Sequence, residues 1–393
     1  MNKPSNIATI IGSVLGIAAG IFMFFVFSSM GIIKHSMYFF VMPIGVCVVS
    51  IIPIIRIIRT NSVENKEVVV EELGENINFE GIYTELQDKH AYELDKIRKR
   101  VFPAILLVTI SVIGLILMGF WVDKVDKNPM LIYGKENMLI IVPIIIVTPF
   151  FAAVFMLSSR KGAYTRKYKD LLVADLISRV NGALKYERYN GEINRKLIGL
   201  YGDANFDKLK YNRWDAEDAI YGNITNALHL EIAELSVDHE SGSRKNRTTI
   251  NIFKGIFACV ERKDSFKATI KVLNNKNKMS VNNSDNLSEV KMDSTEFENM
   301  FNVYSDNPVV AMRVLTSDIM EKIIEYEKRL NIHYELLISK NGIYMRLFTK
   351  ELFEPSIFNK DKEKKNMRMY YEILNLVIDM SKELDKIISE VEV

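Results

Sequence analysis

Four stretches of this chain, roughly residues 7–33, 37–58, 101–122 and 138–158, each contain about twenty residues without an ionisable side chain. That is the length a helix needs to cross the hydrocarbon layer of a bilayer, and no other feature narrows the fold as much. A short loop, Gly31 to Ser36, joins the first two runs, and Asp123 to Asn137 joins the last two. They therefore read as two helical hairpins. Lys and Arg set the orientation of such hairpins. Arg56 and Arg59 follow run two, Lys96, Arg98, Lys99 and Arg100 precede run three, and Arg160, Lys161, Arg166, Lys167 and Lys169 follow run four. The loops within the hairpins carry fewer basic residues. The expectation is a multi-pass protein of the cell (plasma) membrane with both termini in the cytoplasm.

The composition of the whole chain hides this division. The chain is 48% hydrophobic and 25% charged with a formal net charge of +2, values ordinary for a globular protein. Yet residues 1–158 hold 13 of the 51 basic and 13 of the 49 acidic residues. The rest of the charge lies beyond position 158, in a segment long enough to bury a core of its own. The near-balance of charge excludes a general nucleic-acid binder, which needs a basic surface. The two cysteines, Cys47 and Cys259, form no Cys-x-x-Cys pair, which argues against a thiol-based zinc or redox site.

The predicted fold class is a membrane α-helical N-terminal part, four transmembrane helices as two hairpins, followed by a soluble α+β domain with an antiparallel sheet and a long C-terminal helix. The predicted divisions are a first hairpin at 1–58, a linker and juxtamembrane helix at 59–100, a second hairpin at 101–158, a helical connection at 159–221, and the α+β domain at 222–393. In the first run Gly12, Gly16 and Gly20 form a smooth stripe that lets another helix approach closely, either a second copy or one of this chain's own spans.

Beyond run four, Tyr168, Leu172, Leu176, Val180 and Leu184 recur at helical spacing. Residues 185–221, rich in Tyr, Asn, Asp and Gly, read as an irregular or partly helical connection. Residues 222–238, 247–260 and 266–273 are β-branched and aromatic and read as strands. A short strand is expected at Val309 to Leu315, then a helix capped by Thr316, with Ile319, Ile323, Ile324 and Leu330 on its buried face. Ile332 to Ser339 and Gly342 to Phe348 form a hairpin around the Asn-Gly turn of Lys340 to Gly342. A last helix over about 362–391 carries Tyr370, Ile373, Val377, Met380, Leu384, Ile387 and Val391 at three-four spacing, which fits pairing with itself or docking on its own domain.

The chemistry-bearing residues form no recognisable constellation. There is no phosphate loop, no nucleophile elbow and no His-Glu-x-x-His helix. His229, Glu231 and His239 share one side of a strand by parity, but span too far to meet without a bend. Asp215, Glu217 and Asp218 form an acidic cluster after Trp214. The most unusual run is Phe253 to Phe257, Phe-Lys-Gly-Ile-Phe. Its two aromatic rings share one strand face around Gly255, and a strand glycine marks a bulge or a close backbone approach. Either a ligand or peptide enters that gap, or another element packs there. No catalytic, cofactor-binding or metal-ligating residue is expected. The candidate interaction surface is Phe253, Gly255 and Phe257 with Tyr370, Val377 and Leu384.

Several of these runs, taken in order, carry a resemblance. Phe253 to Phe257, then Val303 to Val309 with Ala311 to Ser317, then Leu352 to Phe358, supported by Tyr168-Lys169, Leu184 to Tyr186, and Glu217-Asp218 followed by Gly222, resemble the bacterial membrane-protein family called domain of unknown function 3137. The resemblance covers about residues 165–390. It implies a membrane protein with a cytoplasmic α+β domain and carries no established activity. It also implies a partnership with small membrane-anchored proteins of the LemA type. The expected function is a non-catalytic interaction or scaffolding module at the inner membrane face, binding another protein or another copy. The alternative is a transport or envelope-stress accessory acting through oligomerised spans.

Overall fold

The computed structural model describes residues 77–127, 138–206, 210–242, 246–275, 286–340, 342–349, 353–356 and 359–391. Its first elements are α1 (Ile77–Lys127), α2 (Met138–Tyr168), a π-helical turn (Lys169–Val173) and α3 (Ala174–Val180). The described residues divide into two compact units. One holds Asp95–Tyr164, and the other joins residues 77–94 to those from Thr165 onward.

The membrane half of the expected fold class is corrected here. Among the described residues, no helix is long and apolar enough to cross a membrane. The runs at 101–122 and 138–158 lie inside α1 and α2; α1 continues into charged sequence on both sides of its run, and α2 beyond the C-terminal end of its run. An uncharged run favours a helix, but it does not fix the medium that surrounds it. The first expected hairpin, the glycine stripe of Gly12, Gly16 and Gly20, and residues 128–137 lie outside the described residues.

The second unit has the expected α+β architecture. After α3 come β1 (Lys185–Glu187), α4 (Gly191–Ala204), β2 (Arg213–Asn223), β3 (Leu228–Ser241), β4 (Thr248–Arg262), β5 (Ile270–Asn274), β6 (Ser288–Val290), α5 (Thr295–Met300), β7 (Phe301–Ser305), α6 (Pro308–Val314), α7 (Ser317–Leu330), β8 (Tyr334–Ser339), β9 (Gly342–Phe348) and α8 (Lys360–Val391). The strands form one antiparallel sheet in the order β1-β2-β3-β4-β9-β8-β5-β7-β6.

Residues 185–221 are more regular than their composition implies. Asn190 caps α4 by accepting bonds from the amides of Glu192 and Ile193, both at 3.1 Å. Asn205 ends the helix in the left-handed conformation. The stretch Val309 to Leu315, expected as a strand, is α6. Asn307 accepts a bond from the Val310 amide, and Pro308 occupies the first turn, where its missing N–H costs nothing.

Each sheet face is covered. On one, α4 lays Ile193, Leu197 and Tyr201 over Ala233, Leu235, Phe253 and Phe257. On the other, α8 packs against β4 and against α3, α6 and α7. The seam on α8 is buried within this chain: Tyr370, Val377 and Leu384 are 4%, 0% and 0% exposed.

Candidate functional site

Four of the short motifs that carry the family resemblance are far apart in sequence and meet in space. Tyr168-Lys169, Tyr186, Glu217-Asp218 and Glu354 surround one buried ionic node. Its centre is Lys169, almost fully buried, whose ammonium donates to the Asp218 carboxylate at 2.5 Å. Glu354 lies 3.2 Å from the same ammonium and Glu217 3.6 Å. The Tyr186 hydroxyl donates to the other Asp218 oxygen at 2.5 Å.

Local backbone irregularities aim these groups. Lys169 opens the π-helical turn that interrupts α2 and α3, and such a turn carries one more residue than an α-turn. Asp218 occupies a bulge in β2, where the register to β3 shifts between Glu217 and Ile220. Its φ of +59° is left-handed, a conformation aspartate tolerates better than most residues. Its amide donates to the Arg188 carbonyl at 2.9 Å, which fixes the turn. Phe353 stacks on Tyr370 at 4.5 Å between ring centroids and lies 6.3 Å from Tyr186. That aromatic lid helps exclude water from the ions.

The electrostatics follow from burial. Burial works against the charge on Lys169, but the carboxylates of Asp218, Glu217 and Glu354 outweigh it, so its pKa stands above the usual lysine value. Burial pushes Asp218 up to about 6, and Lys169 and Tyr186 keep it from rising further. The Tyr186 and Tyr370 hydroxyls are pushed above the ordinary tyrosine value, first by burial and then by neighbours that include Asp218. A lysine held charged this firmly serves as a fixed cation rather than as a nucleophile or base. The node clamps the helical turn, β1, β2 and the segment at Glu354 together.

A second buried pair lies under α4. Arg346 of β9 donates to Glu335 of β8 and to the Tyr201 hydroxyl, with the Phe206 and Phe348 rings within 5.1 Å of its guanidinium. Both charged residues are almost wholly buried.

The residues singled out from the sequence are placed as follows. Phe253 and Phe257 face α4 and are 1% and 0% exposed. Gly255 lies where β9 comes close. A Cβ there would sit 1.9 Å from the Leu347 carbonyl oxygen, so the gap is filled by backbone. His229 bonds to Asn223 and His239 to the Lys210 carbonyl, at opposite ends of β3. The acidic cluster splits: Asp218 turns inward to Lys169, while Asp215 accepts from the Ala216 amide. Among the described residues, no group of three His, Cys, Asp or Glu is arranged to hold a metal ion.

Sequence reasoning used the node's residues as family markers without joining them. Their separation, from 169 to 354, hides the contact. The one available signal was that charged and tyrosine residues recur within otherwise unrelated motifs.

Comparison with known proteins adds little beyond the family. No curated protein matches the chain. The solved structure of the mycobacterial trehalose monomycolate transport factor A is 12% identical, with 54% of this chain and 94% of that one covered and a TM-score of 0.26. Residues 251–386, which run from β4 into α8 and include Glu354 and Tyr370, match the family described as protein of unknown function (DUF3137), the family that the motifs resemble.

Proposed function

We propose that the α+β domain is a non-catalytic interaction module, and that the outer edge of β4 is where a partner strand binds. One observation carries this reading. Among the described residues, β4 pairs with β9 only over Gly255–Val260, whereas its pairing with β3 continues to Thr248. Thr248 to Phe253 thus form a strand hydrogen-bonded on one side. Thr248, Thr249, Ile250 and Asn251 are exposed, and Ile250 is 49% exposed.

Proteins blunt sheet edges with short strands or charges. The sheet's two outermost strands, β1 and β6, are three residues long and fit that practice. The β4 overhang does not. Its run Thr-Thr-Ile-Asn-Ile-Phe is uncharged, rich in β-branched residues and free of proline, the composition that favours strand addition. Exposed Trp214 lies across from Val237 at the same end of the sheet, and aromatic anchors of this kind dominate binding energy.

The partner is a second copy or a small protein of the LemA type, as the resemblance implies, and the setting is the inner membrane face. Three measurements test this: fractionation of cells for the setting, affinity capture of the full chain, and the mass of the captured complex. A stoichiometric partner or homo-oligomer is expected, and Ile250→Lys should release it. A monomer without a partner, or a complex indifferent to Ile250→Lys, refutes the reading.

A further inference from the structure

The β4 overhang has a candidate occupant within the chain itself. Residues 1–76 precede the first described helix, and the stretch next to that helix reads Val-Val-Glu-Glu-Leu from Val69 to Leu73. Val69 and Val70 continue a β-branched run that opens at Val68, a composition suited to a strand. Gly74 breaks the run before α1 begins at Ile77.

The start of α1 is fixed toward the overhang end of the sheet. Gly255 lies two residues past the overhang, and a Cβ on it would sit 2.8 Å from the backbone nitrogen of Thr349, just beyond β9. Phe353, four residues on, stacks on Tyr370. Four residues span at most about 14 Å. The next residue, Tyr371, meets Phe79 of α1 at 5.7 Å between ring centroids, and Lys364 pairs with Glu80 at 2.7 Å. The opposite end of β4 is tied to the far end of α8 by Arg262 and Asp385 at 2.6 Å. Residues 70–76, extended, reach at most about 25 Å from Ile77.

The charges are compatible with pairing. From Ser241 to Val260 there is no carboxylate, so Glu71 and Glu72 in an incoming strand meet no like charge directly opposite. Arg247 and Lys254 stand at the two ends of the overhang. Arg247 already meets Glu240 at 3.2 Å, so the match is one of composition and calls on no unsatisfied charge.

We propose that Val69–Leu73 adds as a strand to the β4 overhang of its own chain, and that an outside partner binds by displacing it. The added backbone pairs with the edge of Thr248 to Phe253 that β9 leaves open. This docking rests on the β4 edge being a strand-binding site and supplies the regulation of that site.

A short thiol-specific crosslinker applied to the purified full chain tests the inference. Cysteines replace Val69 and Thr249, serine replaces Cys47, and the native Cys259 is fully buried. A chain with Val69→Cys and Val309→Cys is the control. The 69–249 link is expected within single chains at about fivefold or more the control yield, because a docked strand holds its residues at high effective concentration. Val70→Pro together with Glu71→Pro must remove an N–H from the ladder, since successive amides point to opposite edges. That proline pair, or Ile250→Lys alone, should bring the link down to the control level. The proline pair should also raise the yield of captured partner by about threefold or more, since the edge is then always open. A link at the control level, a link that Ile250→Lys leaves unchanged, a product joining two chains, or a partner yield unmoved by the proline pair overturns the inference. If Ile250→Lys still releases the captured partner, the β4 edge reading survives that failure; if it releases none, the edge reading falls too.

Discussion

Replacing Lys169 with methionine keeps most of the side-chain volume and removes the cation from the buried node. The Asp218 carboxylate, 0% exposed, then loses its 2.5 Å partner and keeps only the bond from Tyr186 among its side-chain donors. Removing one member of a buried ion pair costs about 3–5 kcal/mol, because the remaining charge is left desolvated. The Tyr186 bond and the freedom of Asp218 to take up a proton place Lys169→Met near the lower end, about 3 kcal/mol. The pH dependence has a definite sign. The folded-state pKa of Asp218 is about 6 in the intact pair, above the ordinary 3.8, and loss of Lys169 raises it further. A carboxyl with a raised folded-state pKa contributes most to stability at low pH, and that contribution is lost as pH rises through the folded value. Lys169→Met should therefore be more damaging at about pH 8 than at about pH 5. Urea unfolding followed by circular dichroism at both pH values gives the two differences. Adding Asp218→Asn to Lys169→Met should recover part of the loss at the higher pH, since asparagine tolerates the left-handed backbone and carries no charge. A loss under about 1 kcal/mol at both pH values, or one equal at the two, would refute the assignment of the node as a charge clamp.

Other substitutions test the surrounding fold, each by urea unfolding. Gly255→Ala should destabilise by about 1–3 kcal/mol, because the new Cβ would collide with the Leu347 carbonyl. A neutral result would mean β9 can move away. Glu335→Gln should cost about 3 kcal/mol or more by leaving Arg346 buried without its counter-ion. Leu384→Ala should cost about 2–5 kcal/mol, because the side chain is fully buried in the α8 seam. A change within about 0.5 kcal/mol, typical of a surface position, would contradict that burial.

Periodicity made the α+β half legible where it was strong. The three-four spacing of α8, the Thr316 cap of α7 and the pairing of Ser339 with Gly342 across the β8–β9 turn are all present. Val309 to Leu315 shows the limit. Its β-branched residues favour a strand, but Asn307 and Pro308 start a helix there, and the cap outweighs the propensity. Residues 185–221 were obscured for a related reason: Tyr, Asn and Gly at the caps and turns diluted the amphipathic pattern of α4. The four apolar runs were read as spans from length and hydropathy alone, and the described helices α1 and α2 do not meet that requirement. The buried node was illegible because its contacts join residues 32 to 185 positions apart, through a π-helical turn and a bulge that no periodicity announces.

Site-specific photocrosslinking in cells gives the most direct test of the interaction reading. A crosslinker replaces Ile250 on the β4 overhang in one strain, and Val309, even more exposed to solvent but on α6, in another. The account predicts one dominant crosslinked species of defined mass from position 250 and none from position 309. No product from position 250, or the same product from both positions, would contradict it.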